Sequence, residues 1–289
     1  MATVGAQSTQ RVERSMAPLW TVSVHAPEVA DEFEQLGLES SKRYFAARAA
    51  PLGAASLELV VATFFNFSPR AVSRAIPSAW ETATPTQILT AQRAGVDRAL
   101  RRAFASLDAT LIDEALALLR SAAEAASTQP QGRPLFAAYS SLEWPEEPHL
   151  ALWHAQYLLR EFRGDGHIAV LLAEGLTGIE AFAIHVALVP AMHAFVQSRA
   201  WTDDEWNAAI DALRSAGWLT TDHELTLTAD GVQRREAIEQ RTNVLNLPAY
   251  ETIGQAGRDR IIELAAPIAQ AIADAELAFT FPRRESAAD

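Results

Sequence analysis

Apolar residues recur along this chain at spacings of three and four almost without interruption, the period of helices that each bury one stripe. The pattern predicts helices near 27–36, 40–49, 55–66, 69–79, 85–104, 108–127, 148–162, 165–174, 177–197, 203–215, 229–245 and 255–278. Pro27, Pro69 and Pro85 stand where first turns begin, and Gly37, Gly53 and Gly217 where helices end. One stretch departs from the helical period. In GWLTTDHELTLT (217–228), Leu225 and Leu227 alternate with threonine beyond a polar turn at Thr221–His223, which predicts a short hairpin. Thr202 and Glu205 have the spacing of a capping box and open the helix before it. Helix, turn, helix, hairpin, helix is the order of a winged helix–turn–helix. The expected fold is all-α with a small β-wing.

The Pro/Gly/Gln-rich TQPQGRPL (128–135) marks a boundary. It divides a helical N-terminal half, 16–127, with the outline of a degenerate helix–turn–helix, from a winged-helix C-terminal half, 136–280. The segments 44–80 and 167–188 share a helix, a Gly break and a second helix, with Glu58 and Glu180 in comparable places. A true repeat would make the chain a pseudo-dimer of two related halves.

Composition narrows the classes. A chain of 289 residues, 49% hydrophobic, can bury a sizeable core. It has no cysteine, so disulfides and thiolate metal sites are excluded. No apolar run reaches membrane-spanning length, and the first residues lack the apolar centre of a signal peptide, so a cytoplasmic protein without membrane contact is expected. The first ~15 and last ~8 residues are polar and uncapped, and are expected to lack regular structure.

A net charge of −12 argues against an extended nucleic-acid footprint. The helix that would read DNA in a winged helix carries Asp203, Asp204, Glu205 and Asp211 against one arginine, Arg214. The predicted wing tip adds Asp222, His223 and Glu224. Acids there suit the helix dipole and repel phosphate. The better basic candidates are Arg70 and Arg74 beside Ser68 and Ser73, then Arg93, Arg98, Arg101 and Arg102. DNA is thus a disfavoured partner.

Ionisable residues collect in ALWHAQYLLREFRGDGH (151–167). His154, Tyr157 and Glu161 are spaced to share a helix face; Arg163, Asp165 and His167 follow. Buried charge is costly unless paired, so the cluster needs a structural or chemical reason. Asp165 suits a helix cap after Gly164 as well as chemistry. His167 suits proton transfer, and Arg163 suits an anionic group. In the first half Tyr44 and Arg48 lie one turn apart, and Asn66 sits within Phe64-Phe65-Asn66-Phe67, where it serves a turn equally well. His25, Glu180, His185 and His193 are further polar residues on apolar segments. The histidines show no metal-ligand spacing, and no phosphate loop, dinucleotide fingerprint or nucleophile elbow is present. No cofactor is expected.

LLREFRGDGH, AEGLTGIEA, WTDDEW and LTADG together resemble an uncharacterised bacterial winged helix–turn–helix family whose signature reads LREHRGDGH. FAARAAPLG, FFNFSP, GRPL and WPEEPHLALW extend the resemblance over roughly residues 17–280. Phe162 stands where that signature has His. The C-terminal half is similar to MarR-type regulators in fold. The resemblance implies a helix–turn–helix scaffold and no particular reaction.

Residues and resemblance lead to one expectation: a small, largely apolar or aromatic molecule held between the helical halves, for sequestration, sensing or cofactor-free acid–base conversion. His167 and Asp165 would carry any proton transfer. Arg163, Tyr157, His154, Glu161, Tyr44, Arg48, Asn66 and Phe65 would line the site. The alternative is a ligand-responsive, DNA-binding transcriptional regulator.

Overall fold

A computed structural model describes residues 4–222 and 224–278. It contains α1 (Val4–His25), α2 (Pro27–Gln35), α3 (Ser40–Ala49), α4 (Leu57–Thr63), α5 (Pro69–Ser73), α6 (Ser78–Thr82), α7 (Pro85–Ala103), α8 (Ala109–Ser127), α9 (Pro134–Ser140), α10 (Pro148–Ala173), α11 (Gly178–Leu188), α12 (Asp203–Ser215), α13 (Ala229–Asn246) and α14 (Gly254–Asp274). Short 3-10 turns at Ala50–Leu52, Pro190–Phe195, Gln197–Arg199 and Leu247–Tyr250 join them.

The expected β-wing is absent: among the described residues no strand forms, and the fold is all-helical. A single antiparallel bridge, Leu219 to Leu227, joins the two arms of 217–228. Among the described residues the arms exchange only two backbone hydrogen bonds, Thr220 N–H to Thr226 O at 2.9 Å and Thr228 N–H to Trp218 O at 3.0 Å. Arg214 donates to the carbonyls of Thr220 and Asp222, at 3.2 and 2.7 Å. Thr228 already caps α13, its Oγ1 accepting from Gly231 N–H at 2.9 Å. A two-armed loop this short has no cooperative sheet to join. His223 of the expected turn lies outside the described residues.

Helix boundaries also differ: the expected helix 69–79 is two short helices, α5 and α6, and α9 forms where none was expected. The N-terminal segment expected to lack regular structure forms α1, which buries Val12, Met16, Leu19 and Val22. The expected helices 148–162 and 165–174 are one continuous helix, α10. The expected helix 177–197 stops at Leu188, before Pro190, and continues as 3-10 turns.

Two apolar clusters hold the fold together. The larger runs from Val12 to Leu277 and draws on both sides of 128–135, with α10 (Leu150 to Phe162) at its centre. The smaller gathers Val170, Leu171, Ile184, Ile210, Leu213, Trp218 and Ile238, with Phe65 packed against it. α10 spans both, so its middle turns lie where the clusters meet. No single helix among the described residues is long and apolar enough to cross a membrane.

Candidate functional site

A cavity of about 630 Å³ opens at that junction. It is bounded by α1, α3, the 63–67 segment, the middle of α10, α11, Arg199 and α13. Its size falls in the range of small-molecule sites. Trp20, Tyr44, Phe64, Phe65, Phe67 and Phe182 form apolar wall.

Two sharp helix–turn–helix corners shape the space. The chain turns by 95° between Ser40–Leu52 and Leu57–Thr63, and by 106° between α10 and α11. Gly53 and Gly175 take positive φ in the turns, and Ser56 and Thr177 cap the helices that follow. The corners touch. A Cβ on Gly178 would stand 1.8 Å from the carbonyl oxygen of Phe65, so only glycine lets α11 begin there. Ser68 N–H donates to Arg199 O at 3.0 Å, and Ser68 Oγ to Ala200 O at 2.8 Å.

Charge is organised around two shared carboxylates. Arg48 Nη2 donates to both oxygens of Glu161, at 2.9 and 3.0 Å, and Arg160 pairs with the same group. Burial opposes ionisation of Glu161, but Arg160 and Arg48 outweigh it and hold its carboxyl below the usual range. Glu239 accepts a hydrogen bond from Arg163 at 2.6 Å through one oxygen and ion-pairs with Arg235 at 2.5 Å through the other. There too burial is outweighed, by Arg235 and Arg163, and the carboxyl is pulled down to about 2. Aromatic faces support the cations: Arg160 lies 3.8 Å from the Trp20 ring centre and Arg48 4.8 Å from that of Phe64.

His167 Nδ1 is 2.9 Å from Thr242 Oγ1, whose own proton goes to Ile238 O. Thr242 must therefore accept, which assigns the proton to Nδ1 and leaves Nε2 with its lone pair. Burial pushes the ring down to about 4, so His167 is neutral at pH 7 and a weak general base.

Asp165 borders the cavity too, but its carboxylate is engaged with backbone. Its carboxylate accepts from Phe136 N–H at 2.9 Å, capping α9 from across the fold, and burial raises it to about 6. Two residues apart on α10, Asp165 and His167 occupy different sides of the helix.

Tyr44, Arg48, Phe65, Asn66, Glu161, Arg163, Asp165 and His167 all line the cavity. His154 and Tyr157 do not. His154 lies edge-on to Trp144 with ring centres 4.9 Å apart, and Tyr157 stacks on Tyr139 at 4.4 Å. The cavity stripe of α10 is Gln156, Arg160, Arg163 and His167, spaced four, three and four. Sequence reasoning passed over Arg199, Arg235 and Glu239. The i,i+4 pair Arg235–Glu239 was the available signal; Arg199 gave none. Among the described residues no group of three His, Asp or Glu side chains is arranged to hold a metal.

The candidate basic surface is largely paired: Arg70 with Glu205, Arg98 with Glu32, Arg101 with Asp97, and Arg102 with Glu28. α12 begins with Asp203, Asp204 and Glu205, and Glu205 closes a capping box with Thr202.

Two glycine-turned corners in an all-helical chain define a helix–turn–helix protein. The chain belongs to the helix-turn-helix family whose profile matches residues 9–279. No curated protein and no solved structure matches it.

Proposed function

We propose that this protein binds a small molecule with a planar or apolar body in the cavity between its two corners. The observation that supports this is the cavity itself: about 630 Å³ walled by aromatic rings, with oriented guanidinium groups and a neutral histidine on one stripe of α10. Both apolar clusters border it, so an occupant would contact each of them and stabilise their junction. The test is thermal melting against a metabolite library. Binding to the folded state raises the melting temperature, by an amount equivalent to roughly 2.7 kcal/mol at a hundredfold excess over Kd. Ala181→Trp, which fills the cavity from α11, should abolish the shift. A library without one stabilising compound, or an undiminished shift in Ala181→Trp, defeats the reading.

A second reading, contact with DNA, is favoured by family membership. The acidic start of α12 and the paired arginines weigh against a phosphate footprint. Electrophoretic shift of DNA flanking the protein's own gene tests it: a specific shift that weakens with salt would support regulation.

A further inference from the structure

We infer that the occupant of this cavity carries a carboxylate, and that Arg199 is the residue that receives it. The inference rests on the ligand-binding reading above and specifies it.

The lining holds six arginines, Arg14, Arg48, Arg160, Arg163, Arg199 and Arg235, against four carboxylates. The carboxylates are committed. Glu161 serves Arg48 and Arg160, and Glu239 serves Arg163 and Arg235. Asp165 caps α9, and Glu13 accepts from Tyr250 Oη at 2.5 Å. Each shared glutamate leaves its pair of arginines one positive charge in excess.

Arg199 stands outside these pairs. Among the described residues no carboxylate lies within ion-pair distance of it. Its Nη1 donates to Ser198 Oγ at 3.1 Å, while its Nε is buried without a hydrogen-bond partner. Its guanidinium sits 4.0 Å from the ring centre of Phe67 and 4.8 Å from that of Phe182. These rings hold the group in place on the cavity wall and offer it no acceptor. Burial, with the like charge of Arg48, drives its pKa down against the opposing pull of Tyr44. A cation so placed is costly until an anion joins it.

The surrounding field has the same sign. Burial opposes ionisation of Tyr44, yet Arg48, Arg160 and Arg199 together bring its phenol below the usual range. A carboxylate matches the planar donor edge of a guanidinium, and an aromatic body attached to it would lie against Phe67 and Phe182. The cavity therefore suits a planar apolar acid better than its neutral counterpart.

The test uses 2-naphthoate and its uncharged isostere 2-naphthamide as probes, titrated calorimetrically into the full chain at neutral pH and fixed salt. The acid should bind at least about tenfold more tightly, the effect of one charge-assisted hydrogen-bonded pair. Arg199→Met, which keeps the slot between the rings filled, should erase that preference by weakening the acid at least about tenfold more than the amide. Arg199→Lys should restore part of it. The acid-to-amide ratio on the unaltered protein needs no variant and stands if Arg199→Met fails to fold. Equal binding of acid and amide, or a preference that survives Arg199→Met, overturns the inference and leaves the binding site intact. Failure of both probes to bind the unaltered protein overturns this inference. The wider reading would then be decided by the library melt.

Discussion

Arg48 and Glu161, 113 residues apart in sequence, meet with one guanidinium nitrogen donating to both carboxylate oxygens at 2.9 and 3.0 Å. The contact ties α3, in the first corner, to the centre of α10, at the edge of the cavity. Both groups are buried, so the pair is poor evidence of net stabilisation over an apolar contact. Breaking it is another matter. Glu161→Gln leaves Arg48 and Arg160 without their shared charge and should cost about 3–5 kcal/mol, measured by denaturant unfolding at neutral pH. Because Glu161 is held below its ordinary pKa, its contribution is present above pH 4.5 and is lost as the solution becomes more acid. The variant should therefore approach the parent protein in stability at low pH. A loss that stays constant with pH would show that shape, not charge, is what Glu161 supplies.

His154 and His167 make a second prediction, at milder acidity. Burial lowers each from 6.5 to about 4. A base depressed in the fold contributes stability that is complete above 6.5 and disappears as the pH falls to about 4. The melting temperature should fall across that interval. His154→Phe, which keeps an aromatic ring against Trp144, should reduce the slope. An unchanged slope would remove His154 from the account.

Asp165 acts with the opposite sign. Its carboxyl is raised from 3.8 to about 6, chiefly by burial. A raised acid favours the fold at low pH and loses that advantage as the pH rises through 6. Asp165→Asn keeps an oxygen for Phe136 N–H and removes the buried charge. It should melt higher than the parent at pH 7 and nearly level with it at pH 4. Destabilisation at pH 7 would mean that the negative charge is required at the start of α9.

Much of this site could be read from the sequence because charged residues inside an apolar period are conspicuous: Arg48, Glu161, Arg163 and His167 announce themselves that way. The errors have physical causes. Gly164 and Gly166 resemble a break between helices, yet α10 runs through them. A Cβ at Gly166 would stand 2.5 Å from Arg133 Nη1, so the glycine admits a neighbour and makes no turn. α1 carries Pro18 inside it and a polar run before it, which conceal a helix that its packing sustains. His154 and Tyr157 share a helical face with Glu161, but periodicity does not say which stripe meets a cavity and which meets the core. Arg199 sits on a 3-10 turn, where no period exists to make it stand out. The hairpin stopped short for a related reason: alternation in Leu225 and Leu227 is real, but the arms meet only at the Leu219–Leu227 bridge and its two flanking backbone bonds before α13 begins, too few to make a strand pair.

Gly178 gives the sharpest test of how the corners create the cavity. At Gly166 the atom that a new Cβ meets is the tip of a flexible arginine, which can swing aside. At Gly178 it is the backbone carbonyl of Phe65, 1.8 Å away, with the Phe65 carbon at 2.8 Å and Asn66 Cα at 3.3 Å. Backbone cannot yield without moving the 63–67 segment, and with it the aromatic wall formed by Phe64, Phe65 and Phe67. Gly178→Ala should cost about 3 kcal/mol, the upper range of overpacking, while Gly166→Ala should cost about 1. The two should also separate in function. Gly178→Ala displaces one corner from the other and should weaken any ligand's melting shift beyond what its lower stability explains, whereas Gly166→Ala should leave the shift in place. Paired denaturant curves and ligand melts on the two variants measure both effects. Equal costs, or an undisturbed ligand shift in Gly178→Ala, would show that the contact between the corners is not what shapes the site.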